Sequence, residues 1–445
     1  MKYRDLTQGS ITKGLLLFAL PMVAGNLLQQ LYNIADTLIV GRALGRDALA
    51  AVGSAYTLMT FLTSIFLGLA MGSGALFSIY QGRGDRENLR RSVAHAFCLI
   101  LLVTLLLTGC VYLGLPSILR FLQVPQALRG DMGRYLEIIF AGLLATFLYN
   151  FFACLLRSVG NSTAPLLFLG VSAVLNVGLD LLFVLAFSWG VAGAAAATVL
   201  AQYVSGVGLF VYSLLRCREV LPRRCDFRFD RKILGEIGNL SFLTCLQQSA
   251  MNFGILLIQR LVDSFGPVTM AAFAAAVKID TFAYLPVQDF GNAFSTFAAQ
   301  NYGAGNKDRL RRGFRQATAV SAAFSAVISL LVFLLARPLM GIFIRPEETA
   351  VLSAGVRYLR IEGAFYVGIG CLFLLYGFYR AIKHPGMSVV LTVISLGTRV
   401  ALAYALAGSV GETAIWAAIP IGWFLADAAG YGYYLLCRSR LLSPK

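Results

Sequence analysis

The sequence predicts an all-α polytopic membrane protein of twelve transmembrane helices, arranged as two six-helix bundles related by a pseudo-twofold axis along the membrane normal. Three observations predict it: an apolar, charge-poor composition, a succession of apolar runs of spanning length, and an internal repeat. Of the 445 residues, 58% are apolar and 13% are charged, against about 45–50% and about 25% in soluble domains. A span uses about 20 apolar residues, so the chain suits about a dozen spans.

Taken in order, the apolar runs fall at 14–41, 53–80, 92–114, 134–157, 166–188, 190–215, 236–262, 270–300, 314–336, 354–381, 388–408 and 413–437. Each is bounded by charged residues or by Gly and Pro. The first follows MKYRDLTQGSITKG and is much longer than a signal-peptide core, with no small-residue cleavage pattern. It is expected to be retained as a span. The heaviest basic stretch, CREVLPRRCDFRFDRK from Cys217 to Lys232, separates the sixth run from the seventh. The expected organisation is therefore an N-terminal bundle over residues 1–215, a basic cytoplasmic linker over 216–235, and a C-terminal bundle over 236–445.

The repeat supports that division. Gly82-Arg83-Gly84-Asp85-Arg86-Glu87-Asn88-Leu89-Arg90-Arg91 after the second run recurs 221 residues later as Gly303-Ala304-Gly305-Asn306-Lys307-Asp308-Arg309-Leu310-Arg311-Arg312. Arg134-Tyr135-Leu136 recurs as Arg357-Tyr358-Leu359, and the next Arg, Arg157 or Arg380, follows at 23 residues in both copies. An even number of helices separates the copies, so both have the same orientation. Parallel repeats of this kind are a transporter architecture, with substrate bound between the halves and access switched by rocking.

The net charge of +16 is placed by topology rather than by a nucleic-acid partner. The termini and even-numbered loops carry 25 Lys and Arg, the odd-numbered loops 9, and Arg260, Lys278 and Arg399 sit inside spans. Basic loops stay in the cytoplasm, which places both termini there, in a cell (plasma or inner) membrane. No basic stripe is interleaved with exposed aromatics. The eight cysteines include no CxxC pair, and His95 and His384 read as neutral residues near helix ends, so neither a metal cluster nor a disulfide framework is indicated. No Walker A pattern is present, and no nucleophile–base pair suggests an enzyme.

Polar residues at membrane depth carry the functional information, because each is expensive to insert. Asn26, Gln29, Asn33 and Asp36 are spaced 3, 4 and 3 apart and share one face of the first helix. Lipid offers them no partners, so that face is expected to meet the bundle interior or a wet cavity, and Pro21 is a candidate kink in the same helix. Asn176 and Asp180 are i and i+4 in the fifth helix. Their counterparts in the second half, at an offset of 223, are Arg399 and Ala403, and Asp36 aligns with Leu257 at the 221 offset set by Gly45 and Gly266. The acid pair thus belongs to the first bundle alone, which argues against a packing role that duplication would leave in both halves. The eighth helix of the second bundle carries Lys278, Asp280, Tyr284, Pro286, Gln288 and Asp289. Lys278 and Asp280 do not face each other, and function and packing are evenly weighed there. Asp427, Glu137, Glu362, Arg260 and Asp263 read as residues near span ends. Gly72 and Gly74 in MGSGA and the small run Gly190 to Ala197 are expected to let helices pack closely.

With these residues in place, the chain resembles the MATE family of multidrug and toxic compound extrusion transporters. The resemblance rests on the twelve-helix duplication, Asn33-Ile34-Ala35-Asp36-Thr37-Leu38-Ile39-Val40-Gly41, Ala50-Ala51-Val52-Gly53, and Arg157-Ser158-Val159-Gly160-Asn161-Ser162. It covers nearly the whole chain, and within the family the chain is similar to the bacterial DinF-type branch. That branch implies a cation or proton site at Asp36, Asn176 and Asp180, with Thr198 and the Ala194 carbonyl as sixth-helix ligands. The NorM-type acid in the tenth helix has no match between Phe365 and Gly377.

The resemblance implies a secondary antiporter that exports cationic or amphiphilic compounds in exchange for H+ or Na+, without a cofactor. Small-molecule substrates and the lipid bilayer are its expected partners, nucleic acid is not, and the repeat within one chain favours a monomer. The substrate cavity is expected to draw on Asn26, Gln29, Tyr32, Asn33, Gln202, Gln248, Asn252, Lys278, Asp280 and Tyr284. A flippase for lipid-linked saccharides or peptidoglycan precursors is the alternative, for which cavity cations would have to bind pyrophosphate.

Overall fold

The computed structural model describes residues 4–44, 46–121 and 126–441; Gly45, used above to align the halves, lies outside them. All regular structure among the described residues is helical. The helices are α1 (Ile11–Leu44), α2 (Arg46–Arg83), α3 (Arg86–Phe121), α4 (Gln126–Ala141), α5 (Leu143–Ser158), α6 (Thr163–Asp180), α7 (Gly190–Arg216), α8 (Arg231–Asp263), α9 (Pro267–Gly303), α10 (Lys307–Gly341), α11 (Thr349–Gly363), α12 (Tyr366–Ala381), α13 (Pro385–Val410) and α14 (Glu412–Leu441). Ten are long and apolar enough to cross a membrane singly, and two bent pairs raise the number to twelve.

The bent pairs are the fourth and tenth expected spans, and each was read from the sequence as one helix. α4 and α5 meet at 42°, α11 and α12 at 52°. The breaks fall at Gly142 and at Ala364-Phe365, positions that correspond under the 223-residue offset. At the first, Cβ on Gly142 would come 2.7 Å from Gln202 Oε1 and 3.0 Å from Val199 Cγ2. Glycine is therefore what lets α7 approach the bend. Several helices outrun their apolar stretches, α9 by reaching Gly303 and α10 by starting at Lys307, because polar residues continue a helix once it leaves hydrocarbon.

Two compact units result. The first contains residues 20–245 with Arg4, and the second residues 5–19 and 246 onward. The unit boundaries thus fall inside helices: α1 changes unit at Ala19/Leu20, beside Pro21, and α8 changes at Cys245/Leu246. α1 continues as a helix through Pro21.

The start of α8 packs on α2 at backbone distance. Cβ atoms on Gly68 and Gly72 would lie 2.5 Å from Cys245 Cα and 2.5 Å from the Leu240 carbonyl oxygen, and Ser73 and Ser241 hydroxyls lie 2.9 Å apart. A Cβ on Gly74 would lie 3.3 Å from Cys154 Cβ. These small residues give the close packing expected of MGSGA. In the second unit, the segment before α1 is held by Arg309, whose guanidinium donates to the carbonyls of Leu6, Gln8 and Gly9.

Candidate functional site

The first unit gathers Asp36, Asn176, Asp180 and Thr198 from α1, α6 and α7. The Asp36 and Asp180 carboxyls lie against one another. Asp180 is fully buried and Asn176 is 2% exposed. Asn176 Nδ2 donates to Thr198 Oγ1 at 3.3 Å, which commits the amide's nitrogen and leaves its carbonyl oxygen unbonded. Ala194 sits one helical turn before Thr198 in α7 and is buried.

What sets this group apart is its unmet acceptors. Asp36 Oδ1, Asn176 Oδ1 and both Asp180 oxygens are buried and have no hydrogen-bond donor. Among the described residues none of the ion pairs involves either acid. Buried polar atoms are almost always paired, and two adjacent carboxylates without a counter-charge are unfavourable in a low-dielectric interior. Four oxygens left in one place form a donor set suited to a hard monovalent cation, or to a proton shared by the two carboxyls.

Local backbone geometry contributes. Immediately after Asp180 the α6 helix widens into a π-helical turn, Leu181–Ala186, followed two residues on by Ser188 with φ +55°. A π segment adds a residue to the turn, and such segments occur often at functional sites. Gly190, with φ +62°, reverses the chain into α7. Gly193 then lets α7 pass the turn, since its Cβ would lie 3.2 Å from the Phe183 carbonyl carbon.

Tyr135 of α4 also belongs to this group. It is 7% exposed and within electrostatic reach of Asp36, Asp180 and Tyr32. In the sequence its signal is its place in the Arg-Tyr-Leu repeat. Its counterpart Tyr358 holds the same kind of position in the second unit, hydrogen-bonded to Asp280.

The second unit has its own buried cluster. Asp280 accepts a hydrogen bond from the Tyr366 hydroxyl and is 2% exposed. Glu362 and Arg399 lie in its field. Glu362 is 5% exposed, and the reading of it as a span-end residue is corrected: the bend between α11 and α12 turns it into the unit's interior. Asp427 is likewise buried, within α14. Arg399, which aligns with Asn176, brings a cation to a place where the first unit has a neutral amide. The second unit thus has its own acids, at positions that do not correspond to those of the first.

The residues expected to line a cavity divide between the units. In the first, Asn26, Tyr32 and Asn33 are half-buried along α1 and Gln29 is exposed. Gln202 accepts a hydrogen bond from Thr146 at 3.4 Å and packs at the Gly142 break. In the second, Gln248 and Asn252 are half-buried and joined through the Gln248 carbonyl at 3.3 Å. Lys278 is exposed with its ammonium over the Phe343 ring, on a different side of α9 from buried Asp280. Tyr284 sits between Thr281 and the Phe373 ring. Among the described residues, no group of three or more His, Cys, Asp or Glu could hold a metal.

Comparison with known proteins agrees with this architecture. The MatE family model matches residues 21–182 and 242–405. The chain is 30% identical over 442 residues to a probable multidrug resistance protein, YpnP, of Bacillus subtilis, covering 98% of this chain and 97% of that one. It is 26% identical to DNA damage-inducible protein F of Escherichia coli, over 94% of this chain and 90% of that one. Among solved structures, a MOP superfamily transporter from Pyrococcus furiosus superimposes with a TM-score of 0.93 at 23% identity, covering 100% of both chains. An outward-facing multidrug resistance MATE family transporter superimposes at 0.92, also at 23% identity, covering 99% of each. The chain belongs to the MatE family of membrane transporters.

Proposed function

We propose that this MatE-family chain is a secondary antiporter that exports cationic or amphiphilic small molecules in exchange for H+ or Na+ by alternating access. The observation that carries the reading is the set of four buried, unbonded oxygens at Asp36, Asn176 and Asp180. The names of the relatives in Bacillus subtilis and other bacteria, as probable multidrug resistance proteins, support export of toxic compounds as the direction of transport.

The chemistry follows from charge burial. With both acids ionised, the pair is strained by repulsion and lost solvation. A proton or Na+ arriving from outside neutralises it and draws α1 and α6 together around the ion, while Asn176 and Thr198 complete the oxygen set. Coupling requires that the ion favour one access state over the other, because equal affinity for both shifts nothing. α1 is the element that transmits the change, since Asp36 lies on it and Pro21 weakens its hydrogen-bond ladder beside the unit boundary. The flippase alternative has weaker support. Of the three cations placed in spans, Lys278 and Arg260 are exposed and Arg399 lies beside Asp280 and Glu362, so no convergent phosphate cradle is formed.

The test is efflux of a fluorescent cation from proteoliposomes, with pH and Na+ gradients imposed separately on wild type and Asp36→Asn. Gradient-driven efflux that falls to the level of empty vesicles in the variant is the expected result, and the effective gradient names the ion. Near-normal coupled efflux by the variant would refute the coupling site. No efflux by the wild type under either gradient would refute the antiport.

A further inference from the structure

The linker between α7 and α8 is built as a rigid platform with an uncompensated basic and aromatic face. Each of its three acids has a partner, Asp226 in the interior, Asp230 half-buried and Glu219 at the surface. Glu219 pairs with Arg86. Asp226 is 3% exposed, accepts from Arg90 Nε at 3.2 Å and from the Arg223 amide at 2.8 Å, and so ties the 3-10 turn Arg224–Phe227 to α3. Asp230 caps the first turn of α8 through Lys232 and Ile233, and its own amide donates to His95 Nε2 at 3.0 Å. His95 is thus an anchor for the linker rather than a bland helix-end residue. Cys217 is buried, and Val220 and Leu221 pack into the core of the first unit.

Apart from Glu219, which is paired with Arg86, what remains outward is basic and apolar. Arg218, Arg223, Arg224, Arg228, Arg231 and Lys232 are all exposed. Between them Phe227 and Phe229 are 52% and 76% exposed. The chain leaves the 3-10 turn at Arg228 in an extended conformation, with an exposed ring on either side of that residue in sequence. The platform joins the ends of two spans, and Leu214 and Leu215, at the last turn of α7, are exposed apolar residues suited to lipid. Aromatic rings beside a polybasic stretch at a span end match the chemistry of an anionic interface, where bases meet headgroup phosphates and rings enter the acyl boundary. Basic residues serving topology alone need neither the exposed rings nor a fold that spends every acid.

We propose that residues 218–232 form a docking surface for the anionic phospholipids of the adjacent leaflet, with Phe227 and Phe229 inserted and the surrounding arginines on the headgroups. The proposal does not depend on the transported substrate or the coupling ion.

The probe is the emission gained by a Phe229→Trp chain over the parent, whose tryptophans are Trp189, Trp416 and Trp423. The full chain is reconstituted in phosphatidylcholine vesicles doped with brominated phosphatidylcholine or with brominated phosphatidylglycerol. Expected are blue-shifted emission and stronger quenching by the anionic lipid. That excess should shrink at about 1 M salt, where the screening length is about 3 Å, and be lost in a chain that also carries Arg224→Gln, Arg228→Gln and Arg231→Gln. These three side chains are exposed and lie outside the Asp226–Arg90 and Asp230–His95 attachments, so the platform should persist. Solvent-like emission quenched by neither lipid, or equal quenching by both, would overturn the proposal; the first would leave the rings to water or to a soluble partner.

Discussion

Asp36 and Asp180 differ from other buried acids in the chain by what surrounds them. Asp280 has tyrosine hydroxyls and a nearby guanidinium, whereas the first-unit pair has, among the described residues, no cation in an ion pair with it, and its neighbouring amide is already committed to Thr198. Thr198 is therefore a positioning residue: by accepting from Asn176 Nδ2 it fixes the amide and leaves its oxygen free to serve as an ion ligand. Thr198→Val keeps the shape and removes the acceptor. We expect it to cost about 1–3 kcal/mol of stability through an unpaired buried amide, read as a lower melting temperature in detergent, and to weaken ion dependence of efflux while maximal rate is retained. Thr198→Ser should restore both. Asp180→Asn should behave oppositely on stability, leaving it unchanged or raised, because it removes one of two repelling charges, yet abolish gradient-driven efflux. A variant that lost stability and kept coupling would place the acids in a packing role.

At the scale of elements, two helices carry the consequences. α2 meets the start of α8 at backbone distance through Gly68 and Gly72, where added Cβ atoms would meet main chain rather than a yielding side chain. Gly72→Val should therefore destabilise by about 1–3 kcal/mol or more, checked by thermal unfolding, whereas Gly53→Ala, in open space on the same helix, should leave the melting temperature in place. α1 has a different task. It passes from one compact unit to the other within a residue or two of Pro21, where proline withholds an amide hydrogen from the ladder and weakens the helix. Pro21→Ala restores that bond and stiffens α1. Transport should slow while ion-induced protection of Asp36 from carboxyl-modifying reagents persists; an unchanged transport rate would remove Pro21 from the mechanism.

For the whole molecule, the 25 basic residues in the terminal segments and even loops, against 9 in the odd loops, fix the expected orientation. A fluorescent protein fused after Lys445 should glow and a periplasmic phosphatase fused there should be inactive, with the reverse for fusions in the loop between the π-helical turn Leu181–Ala186 and Gly190. The opposite pattern would invert the direction assigned to ion entry. The bend in each fourth helix of the repeat, at Gly142 and at Ala364-Phe365, shows how duplication preserved architecture while chemistry diverged. Arg399 stands where the first half has Asn176, yet Tyr135 and Tyr358 keep corresponding places beside acids.

Composition and hydropathy determined the helical class, the number of spans and their approximate limits, because the bilayer enforces a length of apolar chain that any reader of the sequence sees. Numerical offset determined the duplication, and helical periodicity put Asn176 and Asp180 on one face. The same periodicity put Asp36 on a polar face of the first helix, and family resemblance added Thr198. Tertiary structure alone decided that the two carboxyls lie together, that Asn176 is bonded to Thr198, and that Tyr135 joins them, since these residues come from four different helices whose packing no local pattern encodes. It also decided that Glu362 and Asp427 are interior rather than terminal: burial depends on where a helix bends and what covers it. The linker shows the same division. Its positive charge is plain in the sequence, but only the folded chain shows which acids are spent inward and which aromatic rings are left outside.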